Sequence, residues 1–392
     1  MISRWLVLGI CSVCAPATWA QSSATLYGIV DTGFTFNSNA GGARQYAMTS
    51  GNMSGNRWGL KGNEELGGGM SAIYTIEGGF SGATGAIGQN GTLFGRQVFV
   101  GLSSKSGTLT FGRQYSTASD FVGGFESGLV WAAGGAGYGA HPADVDNLDS
   151  FNRVNNAVKF QSVDYNGLSF GGMYSFGGKA GSIAQNQIWA VAASYAHGPF
   201  KAAAGYLSAR SPNYSLWGDK TNDSLTGSNM KSPVIAGYAT AAAQDVFAAG
   251  GSYALGPATL SFVYSNTRFL GLGGVAVAGM TSSQNAYSGV AVFNSYEGNV
   301  KYDVTPTLSL GASYAYTRNS GNNGSEGASY NQVNLGADYL LSKRTDLYAL
   351  VVYQKVSGVD STGNKAVAAI AGATQSNNDR QTVALVGIRH KF

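Results

Sequence analysis

From Leu26 to Phe392 the sequence alternates apolar with small or polar residues in segments of about ten, and the connectors between segments are alternately very short and long. Leu168, Phe170, Gly172, Tyr174 and Phe176 share one parity, and Ser169, Gly171, Met173 and Ser175 the other. Leu308, Leu310, Ala312, Tyr314 and Tyr316 repeat this against Thr307, Ser309, Gly311, Ser313 and Ala315. Val333, Leu335, Ala337 and Tyr339 do so against Gln332, Asn334, Gly336 and Asp338. Successive side chains leave a strand on opposite faces, so period two predicts strands. The sign of the pattern points outward: the apolar face looks to lipid and the polar face lines water.

Composition supports this inverted arrangement. Charged residues make up 11% and there are 58 Gly in 392 residues, whereas an average chain is about 25% charged and about 7% Gly. After the first twenty residues there is no sustained 3.6-residue period and no second apolar run of about 20 residues, so a membrane-spanning helix is not expected. A mean hydropathy of −0.03 is compatible with a transmembrane barrel, in which every second residue faces water. The 22 Tyr and 18 Phe suit aromatic girdles at two interfaces. Net charge is +4 without a basic run, so no nucleic-acid partner is expected and charge acts through placement.

Met1 to Ala20 read as a cleaved secretory signal: Arg4 as the positive region, Trp5 to Ala15 as an apolar core too short to span, and Thr18-Trp19-Ala20 as the cleavage site. Both cysteines, Cys11 and Cys14, lie inside it. The remainder, 21–392, is then one domain without thiol chemistry.

The short connectors are Glu65 to Gly68, Ser103 to Ser106, Tyr165 to Gly167, Ala196 to Pro199, Ala254 to Pro257, Val304 to Thr307 and Leu341 to Arg344. Their Asn-Gly, Gly-Pro and Gly-rich content suits tight turns. The long ones span 37–53, 81–92, 116–155, 177–186, 209–242, 266–290, 319–330 and 357–379. Seven short and eight long connections join sixteen strands. An even number brings both termini to one rim, where the first and last strands can pair. Closure is required, because in lipid no edge N–H or C=O can find water. The fold class is therefore all-β, a transmembrane antiparallel up-and-down barrel wide enough for an aqueous channel. Leu93 to Leu102 and Asp346 to Gln354 are apolar on both parities, a pattern that burial against another subunit would explain.

Enzymatic function finds little support. His141, His197 and His390 show no metal-ligand spacing, and there is no Gly-x-Ser-x-Gly or phosphate-loop pattern. No catalytic residue, metal or cofactor is expected, and each histidine reads as a rim or loop residue. The connector 116–155 is more informative. At about 40 residues it exceeds the length of ordinary loops, and it mixes Asp120, Glu126, Asp144, Asp146 and Asp149 with a Gly- and Ala-rich middle. A wide barrel becomes selective when a long loop folds into its lumen. Trp58 and Leu60 take the lipid parity, which points Arg57 and Lys61 inward, while Arg96, Arg113 and Arg153 sit at strand ends. Cations opposed to an acidic loop across a gap would set ion selectivity.

Several motifs resemble the general porins of Gram-negative β-proteobacteria. They are Ala24 to Gly33, Gly55-Asn56-Arg57-Trp58-Gly59-Leu60-Lys61 through Gly67, Phe94-Gly95-Arg96-Gln97, Phe111 to Tyr115, His141-Pro142-Ala143-Asp144, Phe151 to Phe160 and the terminal Phe392. The resemblance spans the chain beyond the leader. It implies a homotrimeric outer-membrane barrel of sixteen strands, in contact with lipid and lipopolysaccharide, whose third long loop enters the pore. It matches Arg57, Arg96 and Arg153 to constriction arginines, and places Asp120 and Glu126 opposite only by their loop. It also implies that Phe392 is read by the barrel-assembly machinery. The expected function is passive diffusion of small hydrophilic solutes and ions with a modest anion preference. The alternative is a substrate-specific channel with a weak saturable site, which needs a line of lumen aromatics; Tyr27, joined by Tyr348 if its register points it inward, is too thin a set to show one.

Overall fold

The computed structural model describes residues 23–322, 324 and 326–392, so the signal reading of Met1 to Ala20 lies outside the described residues. The strands are β1 (Ser23–Ala40), β2 (Ala43–Ser50), β3 (Arg57–Gly67), β4 (Met70–Gly79), β5 (Gln97–Ser104), β6 (Gly107–Gln114), β7 (Val154–Ser162) and β8 (Leu168–Ser175). They continue as β9 (Ile188–His197), β10 (Phe200–Arg210), β11 (Ala243–Leu255), β12 (Ala258–Leu270), β13 (Val290–Asp303) and β14 (Leu308–Asn319). The last are β15 (Ser329–Leu340), β16 (Thr345–Ser357) and β17 (Arg380–Lys391). Each pairs antiparallel with its neighbours in one sheet, and β1 pairs with β17 from Ile29–Lys391 to Asn37–Val383, which closes the barrel.

Seventeen segments make sixteen staves, because β2 and β3 both lie on β1 end to end. This corrects the expected first long connector, 37–53. The strands run on to a two-residue turn at Gly41 and Gly42, whose φ values of 63° and 108° favour glycine. The interruption falls at 51–56 instead, as a protrusion inside one stave. Asp31 anchors it, accepting from Ser54 N–H at 2.8 Å and donating its own N–H to Asn56 Oδ1 at 2.5 Å.

The outward parity is apolar: Phe34, Val100, Phe262, Leu310, Tyr314, Leu335 and Val351 are exposed on the barrel's outer face. The inward parity carries buried polar groups such as Ser313, Thr317, Gln332, Asn334 and Gln354. Where inward residues are apolar, loops cover them. Leu350 and Val352 of β16 pack with Trp131, Ala132, Tyr138 and Ile370. The two-sided apolar run at Asp346 to Gln354 thus reflects an inner wall clad by loops, and a subunit interface is not needed to explain it. In the other such run the strand begins only at Gln97. Val98, Val100 and Leu102 face out, and Phe99 is the apolar residue left on the inner parity.

One end of the barrel is filled in the same way. Leu216, Trp217, Met230, Ile235 and Tyr238 from 211–242, with Leu272 and Val277, pack on Phe269, Phe293, Tyr330 and Val356 of the wall. Fully burying one such side chain contributes about 1.5–3 kcal/mol. Loops held like this restrict the lumen to what remains beside them.

Candidate functional site

Antiparallel strands return to the same rim every second stave. The residues at the starts of β3, β5 and β7 after long connections therefore lie side by side at one level: Arg57 opens β3, and Arg96 and Arg153 immediately precede β5 and β7. All three line a cavity of about 770 Å³ inside the barrel, together with Tyr115, Asp120 and Phe151. Tyr115 organises the row. Its hydroxyl accepts from Arg96 at 2.7 Å and from Arg153 at 3.2 Å, and its ring centroid lies 4.8 Å from the Arg153 guanidinium. Arg96 also donates to Glu77 at 2.7 Å, an ion pair that neutralises it. Arg57 donates Nε–H to Gly55 O at 2.9 Å, and Arg153 donates to Phe151 O at 3.2 Å. Among the described residues neither Arg57 nor Arg153 has a carboxylate within ion-pair distance. The cavity wall thus presents two uncompensated cations.

The facing side is the connector between β6 and β7. Ser116 caps the short helix Thr117–Val122, its Oγ accepting from Ser119 N–H at 3.1 Å, which satisfies one of the free donors at a helix start. Further along, Trp131 lies against Gly311 of β14 and Gly336 of β15. A Cβ on Gly311 would come 2.3 Å from the Trp131 ring, and one on Gly336 3.0 Å. These inward positions must lack a side chain for the loop to sit there. Asn299 donates to Phe125 O at 2.8 Å, and Gln332 donates to Tyr138 O at 3.1 Å. Ala133, Ala143, Asp144, Asn147 and Ser150 hold positive φ. Such backbone costs about 1–3 kcal/mol per residue and persists where surroundings dictate it.

The other expected site residues fall elsewhere. Asp120 lines the cavity but is ion-paired with Lys159. Lys61 is exposed four residues along β3 from Arg57, with Nζ 5.4 Å from the Tyr27 ring centroid, and does not line the cavity. Arg113 is buried, donating to Gly95 O, to Asn155 Oδ1 and to Asp219, whose carboxylate lies 2.8 Å away. It ties the loop 211–242 to the wall. Removing one partner of a buried ion pair costs about 3–5 kcal/mol, so Arg113→Met should lower heat stability strongly while leaving reversal potentials unchanged. An altered selectivity at unchanged stability would contradict that division of roles. Tyr27 and Tyr348 do face inward, but their hydroxyls are committed to Glu77 at 2.9 Å and to Asp31, so they form no solute-binding line.

Glu126 is the largest departure from the sequence expectation. Instead of facing the arginines it is fully buried with His141, Asp144, Asp146 and Asp149 of its own loop and Glu297 of β13. His141, read from sequence as a rim or loop residue, has no exposed surface, and its Nδ1 lies 2.7 Å from Asp146 Oδ2. Burial opposes a charged imidazole, but the Asp146 carboxylate outweighs it and raises the His141 pKa to about 9. Burial, with the Asp146 charge, pushes the Glu126 carboxyl well above its usual range. Burial, with the Glu126 charge, does the same to Asp149. Loop separation hid this set: Glu126 and Glu297 are 171 positions apart by number.

The profile of the family described as Gram-negative porin matches residues 7–359. The chain belongs to this family. As a porin it is similar to an outer membrane porin protein of Bordetella pertussis, 30% identical over 416 residues and covering 96% of each chain. It is also similar to outer membrane porin protein 32 of Delftia acidovorans, 29% identical over 393 residues with 96% of each chain covered. Among solved structures, the anion-selective porin from Comamonas acidovorans superposes with a TM-score of 0.68 at 24% identity, covering 95% of this chain and 100% of that one. OmpT of Vibrio cholerae superposes at 0.62 and 14% identity, covering 95% and 98%. The porin's role is accordingly transport across the outer membrane, with no catalytic function. Its exposed apolar band faces outer-membrane lipid and lipopolysaccharide.

Proposed function

We propose that this porin is a general diffusion channel that passes small hydrophilic anions in preference to cations, with Arg57, Arg96 and Arg153 as its constriction cations and Asp120 as a neutralised acid beside them. The observation that carries the reading is that Arg57 and Arg153 line the cavity without carboxylate partners, while of the acids beside them Glu77 and Asp120 are paired and burial pushes the Asp149 carboxyl well above its usual range, toward the neutral form. Fixed cations in a narrow aqueous passage raise the local anion concentration. The description of the Comamonas relative as anion-selective agrees. In a planar bilayer under a salt gradient, the reversal potential should take the sign of the anion; a cation-signed potential sinks the proposal. Solute flux in liposome swelling should rise linearly with concentration, because transport needs weak binding; saturation would favour the substrate-specific alternative.

Assembly belongs to the same proposal. Concave apolar surfaces of about 710 and 590 Å³ flank the closure seam on the outer face, lined by Phe34, Met48, Ala337, Ala349 and Val386, and a second and third copy would seat there in a homotrimer. Unheated protein should migrate on a denaturing gel as an oligomer that heating converts to monomer. The C-terminal Phe392 exchanges backbone hydrogen bonds with Gly28 at 3.1 Å, so it serves closure as well as recognition by the assembly machinery. Removing Phe392 should cut the yield of the heat-modifiable form, whereas Phe392→Tyr should retain it. Residues 1–20 are proposed as the cleaved leader, which mass measurement of the mature chain tests.

A further inference from the structure

We propose that Glu126, His141 and Glu297 form a binding site for a divalent cation of the zinc class that fastens the lumen loop to the barrel wall. The three residues come from two places in the loop and one in β13, and none has exposed surface. One ligand atom from each lies within 4.8 Å of the other two. A tetrahedral zinc ion with bonds of about 2.0–2.2 Å holds its ligands about 3.4 Å apart, and His141 Nε2 is 3.7 Å from Glu297 Oε2. Closing the set around an ion draws together atoms that already lie within 4.8 Å of one another.

The division of labour within each side chain is the stronger argument. Glu126 Oε1 accepts from His141 N–H at 3.0 Å, and Glu297 Oε1 accepts from Ser127 N–H at 2.7 Å and Asn299 Nδ2 at 2.8 Å. The second oxygen of each carboxylate and His141 Nε2 are buried without a hydrogen-bond partner among the protein groups. A buried polar atom without a partner costs about 1–3 kcal/mol, more when charged, and three of them in one place point to a shared one. His141 is also posed as a metal ligand. Its Nδ1 lies 2.7 Å from the Asp146 carboxylate, which in turn accepts from Ser265 Oγ at 2.5 Å. A carboxylate that receives the far ring N–H fixes the tautomer and directs the other nitrogen at the metal.

Charge balance and donor type choose the ion. None of the carboxylates of Glu126, Asp144, Asp146, Asp149 and Glu297 is within ion-pair distance of Lys or Arg among the described residues, which leaves them only His141, and a bound ion takes the place of the proton that a charged His141 carries on Nε2. Buried carboxylates need compensation, and a divalent ion supplies it. Calcium takes six to eight oxygens; two carboxylates and one imidazole suit zinc and its neighbours. Asp149, whose two carboxylate oxygens also lack partners, belongs to the same loop and lines the aqueous cavity.

The test uses the full-length folded porin in detergent, stripped with a chelator and titrated with Co2+. The expected result is one Co2+ per chain with the visible absorption of a low-coordinate site, displaced by Zn2+, and a raised unfolding temperature with either ion. H141Q and E297Q should abolish the absorption, D146N should weaken binding about 10–100-fold, and H197N/H390N should leave it intact. Wild-type protein that takes up neither ion, binds only Ca2+ or Mg2+, or retains the Co2+ absorption in folded H141Q overturns the proposal. If H141Q or E297Q fails to fold, the wild-type titration and the H197N/H390N control decide alone.

Discussion

Arg57→Ala should lower the anion-to-cation permeability ratio of the channel at least fivefold, and is expected to be the most damaging single charge change for selectivity. Three facts set the size. Arg57 lines the cavity, has no carboxylate partner among the described residues, and donates Nε–H to Gly55 O at 2.9 Å. Between the water and protein-surface limits of Coulomb's law, a unit charge about 5 Å from a passing ion is worth about 1–3 kcal/mol, and the lower end already gives about a fivefold ratio. Arg96→Ala behaves differently, because it also frees Glu77, so the site loses a cation and gains an anion; it should add a stability loss to the selectivity change. Reversal potentials in asymmetric salt, recorded at low and high ionic strength, check both. The Arg57 effect should shrink as salt screens the field. A ratio unchanged in Arg57→Ala at low salt would remove Arg57 from the filter.

Trp131→Ala should cost about 3–5 kcal/mol of docking energy and enlarge the single-channel conductance. The indole is buried, packed on Gly311 and Gly336 and next to Leu350 and Val352. Its removal leaves a void that the rigid wall cannot close, since wall strands are fixed by their hydrogen-bonded neighbours. A loop that has lost this anchor samples positions away from the wall, which widens and fluctuates the passage. Noisier, larger conductance steps, faster swelling with bulkier solutes and lower heat stability are expected together. Gly311→Val approaches the same state from the wall side, by occupying the space of the ring. Wild-type conductance in both variants would show that Trp131 does not hold the constriction.

How much of this was legible in sequence differs by element. The outward faces of β8, β14 and β15 were legible residue by residue, because a strand's parity is set by local chemistry and lipid rewards only one face. The turns at Gly198 and Gly256 were legible for the same reason: a tight reversal between adjacent strands depends on a few neighbouring residues. The protrusion at 51–56 was not, since it depends on Asp31 and Arg389 holding it from other strands. Arg57, Arg96 and Arg153 were singled out by their motifs and by their places at strand ends, and the fold brings all three to one cavity. Arg113 was misplaced because its partner Asp219 lies in a distant loop, and only their contact decides that this cation is spent on structure. Glu126 misled in the opposite way: an acid in the constriction loop reads as facing the pore, until Glu297 and His141 are seen behind it.

The sequence by itself determined that this chain is a closed, lipid-facing barrel with a water-filled interior. That conclusion needs only side-chain period, connector length and the rule that a membrane leaves no backbone group unpaired. Tertiary structure alone decided which lumen charges are free and which are neutralised. Pairing depends on ångström distances between side chains from unrelated parts of the chain, and no local pattern encodes them. Arg57 and Arg153 stayed without a carboxylate partner among the described residues, Arg96, Arg113 and Asp120 found partners, and Glu126 and His141 of the loop converged on Glu297 of the wall, a meeting no sequence spacing announced.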